Sequence, residues 1–299
     1  MVLRIVPTDE PTVQDAIDAS SPGDSIKILA GTFDGFEVDV ENLKIFGCGI
    51  DRTIIAGAPA QGSNDGVVVS ANRTTLQGFT VQGFADDGTF ISSNTNLIKE
   101  IETKLNSGDG IFNVGENNLF IKCKTSLNSD GFDSNGTNNC IINCESSQNS
   151  NDGYSISDER SKLLFNLAKN NTSDGLDLDE PFTTILQNKF LGNNCGIQID
   201  DDNHNIIGNS VCDNFESGIL LDNNADFNAV DSNIVKNNGN DVTGGSGIFV
   251  DSSAEDNTIR FNKARNNFEF DIEAIPPADT ANTFDGNQCG NSDPPGLCT

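Results

Sequence analysis

The stretch TSDGLDLDE, residues 172 to 180, places Asp174, Asp177, Asp179 and Glu180 within nine positions. Two carboxyl groups held near each other can divide the work on a glycosidic bond. One gives a proton, and the other acts as nucleophile at about 5 to 5.5 Å or as base at about 6.5 to 9.5 Å. Carboxylates can also converge on a hard cation such as Ca²⁺, which accepts several oxygens in flexible geometry. Asp200 and Asp201, and then Asp222, follow at intervals close to 22 residues, so both uses extend beyond the opening stretch. The candidates for catalysis are Asp177, Asp179, Asp200 and Asp201, and those for a Ca²⁺ site are Asp179, Asp200, Asp201 and Asp222. Protonation or ordinary salt could instead compensate the clustered charge.

The interval is a property of the whole chain. Glycine followed by an apolar residue recurs at Gly66, Gly88, Gly110, Gly131, Gly153, Gly175, Gly196, Gly218 and Gly247, with Glu269 of "EFDIE" 22 residues further on. After each glycine the residues alternate with period two, which predicts a short strand with one buried face. Leu176 and Leu178, Ile197 and Ile199, Ile219 and Leu221, Ile248 and Val250, and Phe270 and Ile272 are expected inward. Asp177 and Asp179, Gln198 and Asp200, Leu220 and Asp222, Phe249 and Asp251, and Asp271 and Glu273 are expected outward, with Phe112 and Asp133 on the same face further up the chain. A repeat this short cannot bury its apolar side alone, so coils must stack at about 4.8 Å into one interior. Thirteen residues after the glycine stand Cys123, Cys144, Asn166, Asn188 and Asn209, continued by Asn233 and Asn262; this column predicts an asparagine ladder across a turn. Cys123 and Cys144 are open between a disulfide and stacked thiols. The best disulfide candidate is Cys289 with Cys298, around the turn in CGNSDPPGLC. Asp174, like Asp109, Asp130 and Asp152, precedes a repeat glycine and is expected to be structural.

This repeat, the opening TVQDAIDASSPGDSIKILAGTF and the tail NTFDGNQCGNSDPPGLCT resemble the pectate lyase-like superfamily, in the broad group with PbH1 or NosD-type repeats. The resemblance covers nearly the whole chain. It implies an all-β, single-stranded right-handed parallel β-helix (a solenoid) of about ten coils, with an N-terminal capping helix. Residues 1–299 then form one domain: a cap over 1–24, coils over 25–275 and a tail over 276–299. Thr12 and Asp15 have capping-box spacing, and Val13, Ala16 and Ile17 give the helix one apolar face.

In enzymes of that superfamily the substrate groove runs along the outward face of one sheet. Carried onto this chain, the resemblance makes Phe112, Asp133 and Phe249 candidate substrate contacts. Asp179 followed by Asp200 and Asp201 echoes part of the polygalacturonase pattern, but His204, the only histidine, lies in the same coil as the pair, and the Gly-His-Gly and Arg-Ile-Lys motifs are missing. Pectate-type elimination uses an Arg or Lys base, and the outward positions carry neither. The mannuronan epimerase motif Asp-Pro-His-Glu is also missing.

Composition narrows the partners. A formal net charge of −28 and a pI near 4.1 disfavour nucleic acid and anionic lipid and favour cations. No apolar run reaches the roughly 20 residues of a membrane span, and MVLRIVPTDEPT has neither the basic start nor the apolar length of a signal peptide. Export by another route, a mature chain or an internal protein all fit that start. The expectation is an extracellular or cell-surface protein that meets a polysaccharide or surface glycan, as a hydrolase or lyase using Ca²⁺. The competing expectation is a non-catalytic structural or adhesive component of a surface or spore layer. The glycine-rich surplus in KNNGNDVTGGSG, residues 236 to 247, is expected to project as a loop.

Overall fold

The computed structural model describes residues 1–222 and 224–298, and the chain divides into two compact units, Met1–Asn149 and Ser150–Thr299. Each unit is a right-handed parallel β-helix built almost entirely from three-residue strands. Among the described residues, no helix is long and apolar enough to cross a membrane.

In the first unit, helix Val13–Asp18 buries Val13, Ala16 and Ile17, and Thr12 caps it by accepting from the Asp15 N–H at 3.0 Å. Strand Leu3–Val6 precedes that helix and already pairs in parallel with Ser25–Ile28, so sheet and cap interleave within residues 1–28. Strands Phe36–Val38, Val67–Val69, Thr89–Ile91, Ile111–Asn113 and Phe132–Ser134 then stack in register. The second unit stacks Tyr154–Ile156, Leu176–Leu178, Ile197–Ile199, Ile219–Leu221, Ile248–Val250, Ile272–Ala274 and Ser292–Asp293. This row of strands therefore begins one repeat before Gly66, at Phe36, and ends in the tail at Ser292–Asp293.

Period two holds in almost all these strands: the first and third residues are buried and the middle one is half-buried on the outer face. Each buried Leu or Ile contributes about 1.5–3 kcal/mol. The repeat glycines have ordinary negative φ, and what they lack is room. A Cβ on Gly175 would lie 2.6 Å from the Gly196 carbonyl oxygen and 2.8 Å from Asn193 Nδ2.

The expected register fails at one coil. Ile272 pairs with Ile248, so Asp271 rather than Glu269 stands in the glycine position, Ala274 replaces Phe270 as the second inward residue, and Asp271 is not an outward residue. The substitution is tolerated because the carboxylate replaces the next ladder asparagine. Asp271 Oδ1 accepts from the Asn267 N–H at 3.1 Å and from Asn267 Nδ2 at 2.9 Å, and its Oδ2 accepts from the Gly290 N–H at 2.7 Å.

The turns are held by more columns than the one the sequence indicates. In the expected column, Asn188 donates its N–H to Asn209 Oδ1 (2.8 Å) and its Nδ2 to the Leu163 carbonyl (2.9 Å), and Asn209, Asn233 and Asn262 repeat this. Asn193, Asn214 and Asn238 form a second column, and Asn228 and Asn257 belong to a third. Cys123 and Cys144 remain thiols, with the Cys123 N–H donating to Cys144 Sγ at 3.3 Å. Cys289 and Cys298 are joined as a disulfide.

Candidate functional site

The outward row of the second unit reads Ser155, Asp177, Gln198, Leu220, Phe249, Glu273 and Asp293 in register. No Arg, Lys or His stands in it, as the sequence indicates. Asp177 is the middle residue of its strand, while Asp179 and Asp200 lie one residue past the ends of adjacent strands, where the chain starts to turn. One carboxyl oxygen from each of Asp177, Asp179 and Asp200 lies within 4.8 Å of the others.

The three carboxyls differ in surroundings. Asp179 is exposed and accepts from Ser157 Oγ at 3.1 Å. Asp200 is half-buried, and its Oδ2 accepts from Gln198 Nε2 at 2.8 Å. Asp177 is half-buried, and its Oδ1 is sealed from solvent with no hydrogen-bond partner. Burial first, and then the charges of Asp179, Asp152, Asp174 and Asp200, push its pKa up to about 8. At neutral pH this carboxyl therefore retains its proton. Three oxygens of this kind also suit a hard divalent cation, and the unpartnered Oδ1 is the observation on this chain that fits one.

The proposed cation set narrows accordingly. Asp201 and Asp222 do not join the group, whereas Asp177 does. Asp201 instead turns its Oδ1 onto the N–H of Asp202 at 2.6 Å. Phe249 lies between Leu220 and Glu273, three coils along the same row from Asp177. Phe112 and Asp133 are register partners in the first unit, where the Phe112 ring stacks on Phe90 with centroids 5.5 Å apart.

A second acidic group, Asp65, Asp86 and Asp87, lies in the first unit. Its signal was present in the sequence, because Asp65 and Asp87 precede repeat glycines. These pre-glycine acids form a ladder: Asp109 N–H donates to Asp87 Oδ1 (2.8 Å), Asp174 N–H to Asp152 Oδ1 (2.7 Å) and Cys195 N–H to Asp174 Oδ1 (2.8 Å). Asp174 is thus structural, as expected. Burial raises Asp87 to about 7 and Asp174 to about 6.

His204 is interior, 1% exposed, and takes an asparagine place in the third column. Its Nδ1 accepts from the Thr183 N–H (3.2 Å), its own N–H donates to Asn228 Oδ1 (2.7 Å), and burial lowers its pKa to about 4. Arg160 pairs with Glu159 at 2.7 Å and lies over the Phe182 ring. The glycine-rich surplus forms a tight antiparallel turn between Asn240 and Gly244, and Asn240 Nδ2 donates to the Phe215 carbonyl at 2.7 Å.

Comparison with known proteins adds to this. The model of the family described as Right handed beta helix region matches residues 65–211 and 163–289. The chain is structurally similar to the A-module of the mannuronan C-5 epimerase AlgE6 from Azotobacter vinelandii, with TM-score 0.79, 14% identity, and 93% of this chain and 88% of that one covered. The Dettilon tailspike protein gp208 gives TM-score 0.75 at 17% identity over 97% of this chain and 68% of that one. The alginate lyase AlyF-OU02, solved with G6, gives TM-score 0.71 at 11% identity over 97% and 84%. No curated protein matches the sequence. At these identities the similarity carries the fold alone.

Proposed function

The chain belongs to the right-handed β-helix family, and from that premise we propose that it is a polysaccharide-acting protein centred on Asp177, Asp179 and Asp200. The carrying observation is the sealed, unpartnered Oδ1 of Asp177 between two other carboxyls. A buried oxygen without a partner costs about 1–3 kcal/mol, so a bound proton, cation or substrate group must offset it. With the proton in place, Asp177 is a proton donor at neutral pH, and the neighbouring Asp179 and Asp200 carboxyls are acceptors for sugar hydroxyls. Structural neighbours whose names include mannuronan epimerase and alginate lyase support a carbohydrate partner.

Ca²⁺ fits the same three residues. When bound there, it would neutralise the clustered charge and offer a positive centre to sugar oxygens. Asp177, Asp179 and Asp200 would hold it, and Gln198 would orient Asp200 through the 2.8 Å bond. The Cys289–Cys298 disulfide supports an extracellular or cell-surface setting.

The test is turnover on a panel of acidic, neutral and amine-bearing polysaccharides, with Ca²⁺ and with chelator. Loss of a positioned proton donor predicts at least a 100-fold fall in kcat for Asp177→Asn. Unchanged turnover in that variant would remove Asp177 from the reaction. A second reading, a non-catalytic adhesive or structural β-helix, draws support from the outward row's freedom from Arg, Lys and His. Binding of a glycan without turnover by the wild type would select it.

A further inference from the structure

Two exposed aromatic rings flank the turns that follow the acidic strands. Phe182 and Phe227 are 48% and 57% exposed, and both hold left-handed backbone, with φ of 68° and 58°. That conformation is costly for a bulky side chain. The equivalent turn positions of neighbouring coils carry Arg160, Asn203 and Asp256, with φ of 60°, 63° and 56°, so the fold is satisfied by polar residues there. Phe182 donates its N–H to the Asp202 carbonyl, Asn203 to that of Asp226, and Phe227 to that of Glu255. The two phenylalanines are therefore two coils apart, about 10 Å by strand spacing, with Asn203 between them.

The turns 179–182, 200–203 and 222–227 carry one sign of charge, with Arg160 of the preceding turn beside them. The described residues of the turns 179–182, 200–203 and 222–227 include Asp179, Glu180, Asp200, Asp201, Asp202, Asp222 and Asp226 and no Lys or Arg. Arg160, one turn earlier, is paired with Glu159, and its guanidinium lies 5.7 Å from the Phe182 ring centroid. A cation thus already rests on one of the two rings. No cation lies over Phe227 among the described contacts.

We infer that this corner binds a polysaccharide bearing free primary amines, with Phe182 and Phe227 as stacking rings and the turn carboxylates as ammonium acceptors. The inference rests on the carbohydrate reading above and names its substrate class. A pyranose offers its C–H face to an aromatic ring, and its ammonium group can meet either the ring face or a carboxylate. A polyuronate would meet the same carboxylates with like charge. Asn203, the residue between the two phenylalanines in this column, supplies no ring.

Titration calorimetry on the full chain in chelator at pH 6 tests this with three probes of equal length: a glucosamine hexamer, its N-acetylated form and an oligogalacturonate. The glucosamine hexamer should bind at least tenfold tighter than either of the others. The double variant Phe182→Asn, Phe227→Asn, which takes the side chain of Asn203, should fold with an unchanged or raised Tm and lose at least tenfold of that affinity. Equal binding of the N-acetylated or uronate probe overturns the inference, as does unaltered binding by the double variant. Equally tight binding of a lysine hexamer would reduce the effect to net charge and overturn it too. If the wild type acts on or binds other glycans but not the glucosamine hexamer, this inference fails while the carbohydrate reading stands. If no glycan of any class is bound or turned over, both fail.

Discussion

Gln198 is the register partner of Asp177 in the next coil, yet its amide donates to Asp200 Oδ2 at 2.8 Å and leaves Asp177 Oδ1 without a partner. The Gln198 amide is thereby committed to Asp200. Asp177 is thus the member of the cluster with a sealed oxygen left unpaired.

If Ca²⁺ occupies this cluster, the ligand set follows from the three converging oxygens. The rise in Tm on adding Ca²⁺ beyond an ionic-strength control should vanish in Asp179→Asn and in Asp200→Asn. It should persist in Asp201→Asn and Asp222→Asn, which alter carboxyls outside the group. A loss confined to the latter two variants would move the site.

Without metal, Asp177 sets a pH dependence whose sign is fixed. Its folded pKa of about 8 lies above the ordinary 3.8, so the folded chain keeps a proton that the unfolded chain has released. The resulting stability is present below about pH 4 and is lost as pH rises toward 8. Asp87 and Asp174, raised to about 7 and about 6, act in the same direction. Tm in chelator should therefore fall between pH 5 and pH 8, and Asp177→Asn should fall less. Parallel curves for the two proteins would contradict the assigned burial.

His204 gives the opposite slope. Its folded pKa of about 4 lies below the ordinary 6.5, so its contribution is present above pH 6.5 and is lost as pH falls toward 4. Nε2 is buried without a partner, whereas Asn228 in the same column donates its Nδ2 to the Asp201 carbonyl at 3.0 Å. His204→Asn should therefore raise Tm at pH 7 and raise it further at pH 5, as followed by thermal melts. A lower Tm at both pH values would mean that imidazole packing outweighs the recovered bond.

The ladder itself can be weighed at Asn188. Replacing it with alanine removes the acceptor of the Asn166 N–H at 2.7 Å and the donor to the Leu163 carbonyl at 2.9 Å. With both groups buried, Asn188→Ala should cost about 2 kcal/mol or more in urea unfolding, with folding retained. A cost below about 0.5 kcal/mol would mean that water replaces the column.

Much of the scaffold was legible because the glycine spacing and the two-residue alternation both report burial, and burial is what the coils impose on sequence. The alternation placed Asp177 outward and the column count placed Asn188 at a turn. At the coil near residue 270 the same logic slipped by two positions, because Phe270 mimics an inward residue and Asp271 stands where glycine is expected. The site was only partly legible. That Asp201 leaves the cluster depends on its turning to cap a backbone N–H, and that Asp177 stays unpartnered depends on one rotamer of Gln198. Neither is written in periodicity. Phe182 and Phe227 were missed because alternation governs strands, while these rings stand at left-handed turn positions.

The columns of the second unit run in two directions. Each ladder asparagine sends its N–H to the coil after it, whereas each pre-glycine aspartate sends its N–H to the coil before it. A deletion of one whole repeat, such as residues 167 to 188, would bring Asn166 opposite Asn209 Oδ1 and Cys195 opposite Asp152 Oδ1, restoring both kinds of bond. A deletion of half a repeat would strand every column at once. Length in such a chain is therefore a stepwise quantity: tandem duplication or loss of DNA in whole-coil multiples keeps these bonds in register, and any other indel within a strand breaks them.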